Sequence, residues 1–196
     1  VGIVTHMQKA NAVLPFTSPH FNDIPERYRD KTNLSAATRL NFFGLAYNTK
    51  LVSDADAPKS WQDLLQPKWA NKLAVGHPGY SGAIGVMGVI LSKLYGWKYF
   101  EALEKLKPQI GRSADDPVTL LNAGERSVGL GVSLAAPLLS QSRGNPLKIV
   151  YPTDGTVAVM SPSGIPKNAP HPNAALVFIN FLLSDDVQAV YANEGL

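Results

Sequence analysis

Residues 77–88, HPGYSGAIGVMG, hold the clearest candidate for a ligand site in this sequence. Tyr80 and Ser81 precede Gly82 and Ala83, and the apolar run that follows predicts that a helix begins here. The first N–H groups of a helix have no partner within it, and the helix dipole adds a partial positive charge. Because small residues leave these donors uncovered, we expect a site for a phosphate or a carboxylate, to which the Ser81 hydroxyl also donates. The alternative is an ordinary serine N-cap on a helix whose small face packs against its neighbour.

Three further polar side chains stand at predicted strand ends or turns. Ser133 ends a predicted buried strand, with Gly131 nearby. Asp116 follows Asp115 on a turn, where the alternative role is capping of the helix predicted over 116–123. Asp154 lies in a turn between two strands, and a plain Asp-Gly turn is the alternative interpretation.

A catalytic set does not accompany these residues. The segment GVSLA lacks the second glycine of the Gly-x-Ser-x-Gly nucleophile elbow, because Ala135 stands in its place. Neither a dinucleotide-binding glycine motif nor a phosphate-binding Walker loop is present. The sequence has no cysteine, and its four histidines lack the spacing of a helical metal site. We therefore expect a binding protein rather than an enzyme, with no cofactor and no metal.

The elements that must position these side chains alternate between strands and helices. Such alternation predicts an α/β fold whose sheet is covered on both faces. Capping residues mark two helix starts, since Ser60 and Asp63 form a capping pair and Ser184 precedes two aspartates. Strands are predicted within 39–49, 72–78, 127–133, 146–152 and 155–165, and helices within 1–14, 81–95, 97–106, 116–123, 135–144, 172–183 and 184–195.

Composition narrows the classes of partner. The 196 residues carry 18 basic and 15 acidic side chains, a net charge of +3. These charges are scattered, without the basic stripe that a nucleic acid requires, so we expect no nucleic-acid binding. The sequence contains no apolar run long enough for a transmembrane helix and no recognisable signal peptide. Because both ends stop in mid-pattern, we expect a fragment of a longer protein.

Several segments match one known family in order and spacing over nearly the whole sequence. They are Tyr47-Asn48-Thr49, Ser60-Trp61-x-Asp63-Leu64-Leu65, Pro67-Lys68-Trp69, Tyr80-Ser81-Gly82-Ala83, Tyr151-Pro152-x-Asp154-Gly155-Thr156 and His171-Pro172-Asn173-Ala174-Ala175. Together they resemble the periplasmic substrate-binding proteins of ABC importers, in particular the binders of ferric iron and small anions.

The resemblance implies a type II periplasmic-binding-protein fold, in which two α/β lobes are joined by crossing strands and the ligand lies between them. The segment RLNFFGLAYN is similar to the first crossing strand, and the return lies around DGTVAVMSP. Residues 1–44 then form part of lobe 1, residues 45–154 form lobe 2, and residues 155–196 return to lobe 1. The first strand–helix units of lobe 1 have no counterpart here, so we expect that lobe to be incomplete.

The resemblance also implies roles for single residues. Ser81, Gly82 and Ala83 match the turn that holds an anion in ferric binders of the family. In those proteins two adjacent tyrosines hold the iron, whereas this sequence has Val-Ser-Leu-Ala at 132–135. Ser133 within that stretch could still donate a hydrogen bond to a ligand. Arg39, at the start of the crossing strand, could pair with an anion, or be a surface arginine.

The function implied is capture of a small polar, anionic solute by lobe closure, followed by docking on a membrane permease. The solute classes are phosphonates, phosphate esters and carboxylates, and a carboxylate at 115 or 116 would suit a ligand that also carries an amine. The second possibility is a ferric-iron binder, and the third is an enzyme of similar fold. We expect a monomer in the periplasm, with its signal peptide outside this chain.

Overall fold

The structure, a computed structural model, describes residues 2–194. These residues form two compact units: unit 1 comprises residues 2–41 and 159–194, and unit 2 comprises residues 42–158. The chain passes between the units within two strands, β2 (Ala36–Asn48) and β7 (Val157–Ser163), which pair with each other. The lobe boundaries predicted from the sequence, after residues 44 and 154, are separate from these unit boundaries and stay a prediction.

Unit 2 is a sheet with helices packed against it. Besides β2, its strands are β3 (Leu73–Gly76), β4 (Gln109–Gly111), β5 (Val128–Ser133) and β6 (Leu147–Val150), and its helices are α2 (Gly82–Tyr95), α3 (Lys98–Lys105), α4 (Asp116–Asn122) and α5 (Ala135–Ser142). The strand order is β4–β3–β5–β2–β6, in which β3 runs parallel to β4 and β5, while β2 runs antiparallel to β5 and β6.

The local sequence explains the central elements of unit 2. The first five residues of β5, Val-Gly-Leu-Gly-Val, are all buried, as expected for a strand covered on both faces. Gly96 ends α2 with a φ of 72°, a conformation that glycine adopts without a steric cost. The predicted capping pair is confirmed: Asp63 N donates to Ser60 Oγ at 3.0 Å, and Ser60 N donates back to Asp63 Oδ2 at 3.1 Å.

Unit 1 contains α1 (Gly2–Lys9), β1 (Val13–Leu14), β8 (Ile165–Pro166), α6 (Pro172–Leu183) and α7 (Asp185–Glu194). β1 and β8 form a two-stranded antiparallel sheet. The Thr38 hydroxyl donates to the carbonyl of Ser161 at 3.1 Å, and Gln188 of α7 donates to the carbonyl of Thr38 at 2.9 Å. The apolar cluster of this unit consists of Phe16, Ala36, Ile165, Ile179 and Leu183.

The sequence analysis predicts one element wrongly and misses another. The helix predicted up to Pro15 ends at Lys9, because Asn11 takes a φ of 55° and the next apolar residues pair with β8 instead. Strand β4 was not predicted at all. It has only three residues, and a three-residue segment is too short to show an alternating pattern.

Among the described residues, no single helix has the length and apolar character needed to cross a membrane. The pair Pro172–Leu183 and Asp185–Asn193 passes that test only when both are taken together, and the chain bends by 55° between them.

Candidate functional site

The candidate site lies where three strands of unit 2 end. Because β4, β3 and β5 are parallel neighbours, their carboxyl ends meet at one edge of the sheet, the edge at which open α/β sheets bind ligands. Gly76 of β3 pairs with Gly111 of β4, so His77 and Arg112 directly follow paired residues. The turn predicted to bind an anion starts from this edge, and Ser133 ends β5 at the same edge.

The start of α2 has features of both alternatives considered for it, an ordinary serine N-cap and an open anion site. Ser81 is the N-cap, since its Oγ accepts a hydrogen bond from Ile84 N at 3.4 Å. The first hydrogen bond of the helix runs from Gly85 N to Ser81 O at 2.9 Å, so the N–H groups of Gly82 and Ala83 precede it. Gly82 is exposed, and a Cβ added to it would meet no atom within 4 Å. The cap is therefore present, and the helix start is open to a ligand.

Arg112 adds a positive charge that the sequence prediction missed. Its guanidinium carbon lies 5.6 Å from the ring centroid of Tyr80, a side chain that is 71% exposed. The ring of His77 lies 4.9 Å from the same tyrosine, and its Nδ1 accepts a hydrogen bond from Gly79 N at 3.0 Å. The signal that could have revealed Arg112 is its place directly after a strand parallel to β3, but that strand was not predicted.

Asp116 organises the loop between β4 and α4. Its carboxylate accepts hydrogen bonds from Arg112 N at 2.5 Å, Ser113 N at 3.1 Å and Ser113 Oγ at 2.7 Å. The bond from the Ser113 hydroxyl, followed by those from the backbone, holds the pKa of the Asp116 carboxyl below its usual value. A Cβ on Gly76 would lie 2.4 Å from the carbonyl oxygen of Ser113, so only glycine allows this close approach. Asp116 thus fixes the backbone that carries Arg112, and Asp115 beside it is exposed.

Ser133 follows an irregularity in the sheet. Gly131 of β5 takes a φ of 64°, and the register between β2 and β5 shifts between Gly44 and Leu45. The positive φ makes glycine the favoured residue at this position, and a Cβ there would lie 2.4 Å from Met87 Sδ, so that the methionine side chain would have to shift. Beyond the shift, Ser133 pairs with Phe43 and is partly exposed.

Asp154 is bound by neighbouring residues of unit 2. Trp61 N donates to its two oxygens at 3.1 and 3.0 Å, and the Tyr95 hydroxyl donates to Oδ2 at 2.7 Å. Trp61 Nε1 also donates to the carbonyl of Gly155 at 2.8 Å. Burial, together with the bond to Asp154, raises the pKa of Tyr95 to about 12. This arrangement has the features of a structural anchor between the turn, Trp61 and α2.

Arg39 belongs to unit 1, unlike the other candidate residues. Its guanidinium carbon lies 5.8 Å from the ring centroid of Tyr191. Both side chains line a cavity of about 430 Å³ in that unit, together with Thr38 and Gln188. Among residues 2–194 there is no group of three or more histidine or acidic side chains placed to hold a metal ion.

Comparison with known proteins finds similarity to bacterial solute-binding proteins, both for the family profile and for single relatives. The sequence profile of the family described as bacterial extracellular solute-binding protein matches residues 2–196. A putative 2-aminoethylphosphonate-binding periplasmic protein of Salmonella typhimurium is 31% identical over 181 residues, which are 86% of this chain and 52% of the relative. The spermidine/putrescine-binding periplasmic protein of the same organism is 32% identical over 151 residues, 69% of this chain and 41% of the relative.

A solved structure supports the fold. The periplasmic binding protein AfuA of Actinobacillus pleuropneumoniae, solved with exogenous fructose-6-phosphate bound, is similar with a TM-score of 0.86 and 26% identity. The match covers 96% of this chain and 62% of AfuA. The type II periplasmic-binding-protein fold with an incomplete lobe is thereby confirmed. The chain spans about half the length of the curated relatives named above.

Proposed function

The chain belongs to the bacterial extracellular solute-binding protein family, and we propose that it binds a small anionic solute as the substrate-binding component of an ABC importer. The observation that carries this proposal is the open start of α2, where the N–H groups of Gly82 and Ala83 precede the first hydrogen bond of the helix. The Arg112 guanidinium lies 5.6 Å from the ring centroid of Tyr80, which directly precedes the N-cap Ser81. The named relatives are binding proteins rather than enzymes, in keeping with a chain that holds its ligand and makes or breaks no bond.

The chemistry of the start of α2 suits a phosphonate or a phosphate ester best, with a carboxylate as the weaker alternative. Backbone N–H groups and the Ser81 hydroxyl supply convergent donors, and a charged acceptor makes such bonds shorter and stronger. The Arg112 guanidinium can donate to two oxygens of either a phosphonate or a carboxylate, but a phosphonate keeps a third oxygen for the N–H groups of α2. Tyr80 lies under that guanidinium and limits its directions. Ser133 and Arg39 are proposed as further donors.

If the ligand also carries an amine, a carboxylate close to Arg112 in the sequence could pair with it. Asp116 already accepts three hydrogen bonds within its own loop, so the exposed Asp115 beside it is the better candidate. An aminophosphonate combines the two charges, and one relative is described as a putative 2-aminoethylphosphonate binder. Asp154, whose oxygens are bound by Trp61 and Tyr95, is proposed as a support rather than a ligand contact.

The mechanism we propose is closure of two lobes over the solute, with crossing strands as the hinge. Lobe 2 would comprise residues 45–154, and residues 1–44 and 155–196 would contribute to lobe 1. The loaded protein, a monomer of the periplasm, would then dock on a membrane permease. The ferric-iron function stays the second candidate, because the stretch at 132–135 has no tyrosine in place of the adjacent pair that holds iron in ferric binders of the family.

The proposal is tested by calorimetric titration of the protein expressed from its complete gene. The ligands are 2-aminoethylphosphonate, inorganic phosphate, acetate and spermidine, and we expect the phosphonate to bind most tightly. The variant Gly82→Glu places a negative charge at the first residue of α2, where acidic residues stabilise a helix. Because the space in front of Gly82 is open, the variant should fold normally, yet its charge should weaken phosphonate binding at least about 100-fold, the size of a strong charge-assisted contact.

The matched control is Gly82→Gln, which has the same size without the charge, so the difference in affinity between the two variants measures the effect of the charge alone. Equal affinity of the glutamate and glutamine variants would refute the site at α2. Tightest binding of spermidine would refute the anionic ligand class. A coloured protein that loses its colour to a chelator would support ferric iron instead, and turnover of a ligand would show an enzyme.

A further inference from the structure

Unit 2 contains a cavity between α2, α3 and the sheet, which we call the α2–α3 cavity. Its volume is about 430 Å³, within the range of about 300–1,000 Å³ that is typical of small-molecule sites. Helix α2 contributes Ile84, Met87 and Gly88, which recur at the spacing of one side of a helix. Residues 81–83, which form the proposed anion site, are not among the described residues that line this cavity.

The α2–α3 cavity is mainly apolar. Ile84, Met87 and Leu130 line it and are only 1–2% exposed. Two other lining side chains, Trp97 and Ile110, are large and apolar yet 69% and 59% exposed. Large apolar side chains that stay exposed beside a cavity are typical of a binding site. The cavity therefore offers buried contacts to an apolar group and an accessible aromatic ring next to them.

Two carboxylates line the same cavity without a partner. Glu101 and Glu104 are exposed, and neither side chain forms a hydrogen bond or an ion pair with a residue that the structure describes. Glu101 lies one helical turn after Trp97, since its N–H donates to the Trp97 carbonyl at 3.3 Å. The lining cation Lys107 follows the end of α3, where its N–H donates to the Glu104 carbonyl at 2.8 Å. Of the two carboxylates, Glu101 is thus further along the chain from this lysine and nearer to the indole ring.

We propose that the α2–α3 cavity binds an organic amine that carries an aromatic or other apolar group. The ammonium of such a ligand is attracted both by a carboxylate and by the face of an indole ring, the best cation–π partner among side chains. Glu101 and Trp97 supply these two groups one helical turn apart. The apolar part of the ligand is buried against Ile84, Met87 and Leu130. A polyamine without an apolar group would leave those side chains uncovered, and an organic anion would be repelled by the carboxylates.

The probe for this site is 2-phenylethylamine, added to the protein expressed from its complete gene. The signal is the fluorescence of Trp97, because Trp61 and Trp69 are only 0% and 3% exposed, and the variant Trp97→Phe identifies the part of the signal that belongs to this residue. We expect saturable binding with a dissociation constant of about 1 mM or below. The uncharged 2-phenylethanol and the polyamine spermidine should each bind at least about tenfold more weakly, since each lacks one of the two matching features.

A variant on α2 blocks the cavity from within. A Cβ added to Gly88 would meet no atom within 4 Å, and leucine is a better helix former than glycine, so Gly88→Leu should fold normally. Because Gly88 lines the cavity, the leucine side chain should weaken 2-phenylethylamine binding at least about tenfold. Gly88→Ala is the matched control, since it adds one methyl group and should keep most of the affinity.

A second variant tests the charge and does not depend on the first. Glu101→Gln should weaken 2-phenylethylamine binding about fivefold, the effect of one ion pair at an exposed site. Glu125→Gln removes an exposed carboxylate elsewhere in unit 2 and should leave the affinity unchanged. Gly82→Glu should also leave it unchanged, because this cavity is proposed independently of the anion site.

Four results would overturn the proposal. Equal affinities for 2-phenylethylamine and 2-phenylethanol would refute the amine, and full affinity in a folded Gly88→Leu would refute the cavity. If Gly82→Glu weakened 2-phenylethylamine binding as much as Gly88→Leu does, the amine would bind at the start of α2 instead. A Trp97 signal that changes with protein concentration without any amine, alongside a dimer in sedimentation, would show that a second copy covers the cavity. If Gly88→Leu fails to fold by circular dichroism, Glu101→Gln and its control Glu125→Gln decide the question, and equal affinities of these two variants would refute the site.

Discussion

The two units bury their apolar side chains to different degrees. The largest side chains that are less than 2% exposed all lie between residues 42 and 158, within unit 2, and Trp61 is the biggest of them. The best-covered members of the cluster in unit 1 are Ala36, Ile165 and Ile179, at 2–4% exposure, and only two of these have large side chains.

The difference follows from the number of layers in each unit. In unit 2 the sheet is covered by helices, so a strand such as β5 is buried on both faces. In unit 1, α6 packs on one side only, and three of its large apolar residues face solvent. Exposed apolar residues of unit 2 are instead spread over several elements, among them Tyr80, Leu94, Ile110 and Leu139. Unit 2 thus has the features of a complete folding unit, whereas unit 1 has an uncovered helix.

The strongest test of this difference removes the largest buried side chain. Trp61 is 0% exposed, and its ring N–H donates to the carbonyl of Gly155 at 2.8 Å. Trp61→Ala should lower the free energy of unfolding of unit 2 by about 4 kcal/mol, through the lost burial and the cavity left behind. Tryptophan fluorescence in urea measures this directly, because all three tryptophans of the chain lie in unit 2.

Two further variants test whether the loss of stability in Trp61→Ala comes from the burial of the side chain and whether it is confined to unit 2. Trp97→Ala removes a tryptophan that is 69% exposed and should cost less than about 1 kcal/mol. Ile179→Ala acts in the cluster of unit 1 and should leave the fluorescence transition unchanged. If Ile179→Ala shifted that transition as far as Trp61→Ala does, the two units would unfold as one and the contrast between them would fail.

A smaller effect is expected from the anchor beside Trp61. Asp154→Asn removes the charge that accepts hydrogen bonds from Trp61 N and the Tyr95 hydroxyl. Hydrogen bonds to charged groups contribute about 1.5–3 kcal/mol, so we expect a loss of about 2 kcal/mol in the fluorescence transition. Asp56→Asn is the control, since this exposed carboxylate accepts one side-chain bond, from Ser53, and should change little.

The variant Asp154→Asn also tests whether Asp154 supports the turn or contacts the ligand. If Asp154 only anchors the turn, Asp154→Asn should leave the affinity for 2-aminoethylphosphonate within about threefold at a temperature where the protein is folded. A much larger loss of affinity at unchanged stability would mean that Asp154 contacts the ligand.

Apart from β4, the strand and helix pattern of unit 2 was predictable because its signals are local. Ser81 and Gly96 mark the start and the end of α2, and the buried strand of residues 128–133 reads as a short apolar run. In unit 1 the signals are weaker. The segment around Val13 has a helical spacing, but its pairing partner lies about 150 residues further along the chain, and no local pattern reveals that partner.

The site was predictable only in part for a related reason. The anion-binding turn at Ser81–Ala83 is contiguous in sequence, so a reader sees it directly. Arg112 reaches Tyr80 only because β4 pairs with β3, and the pairing register of two strands is not encoded in either strand alone. The anchoring of Asp154 by Trp61 likewise depends on a contact across 93 residues.

The smallest expected effect is a dependence of the stability of unit 2 on pH. The pKa of Tyr95 is raised to about 12, by burial first and then by its bond to Asp154. An unfolded tyrosine has a pKa of about 10, so this bond contributes its full stability below pH 10 and loses it as the pH rises towards 12. The cause is that an ionised Tyr95 can no longer donate to Asp154 and is repelled by its charge. Unit 2 should therefore lose stability between pH 10 and pH 12, measured as the fluorescence midpoint in urea. Tyr95→Phe should be less stable than the unsubstituted protein at pH 8, but its stability should depend less on pH between pH 10 and pH 12. An unchanged dependence on pH would mean that the bond between the Tyr95 hydroxyl and the Asp154 carboxylate does not contribute to the stability of unit 2.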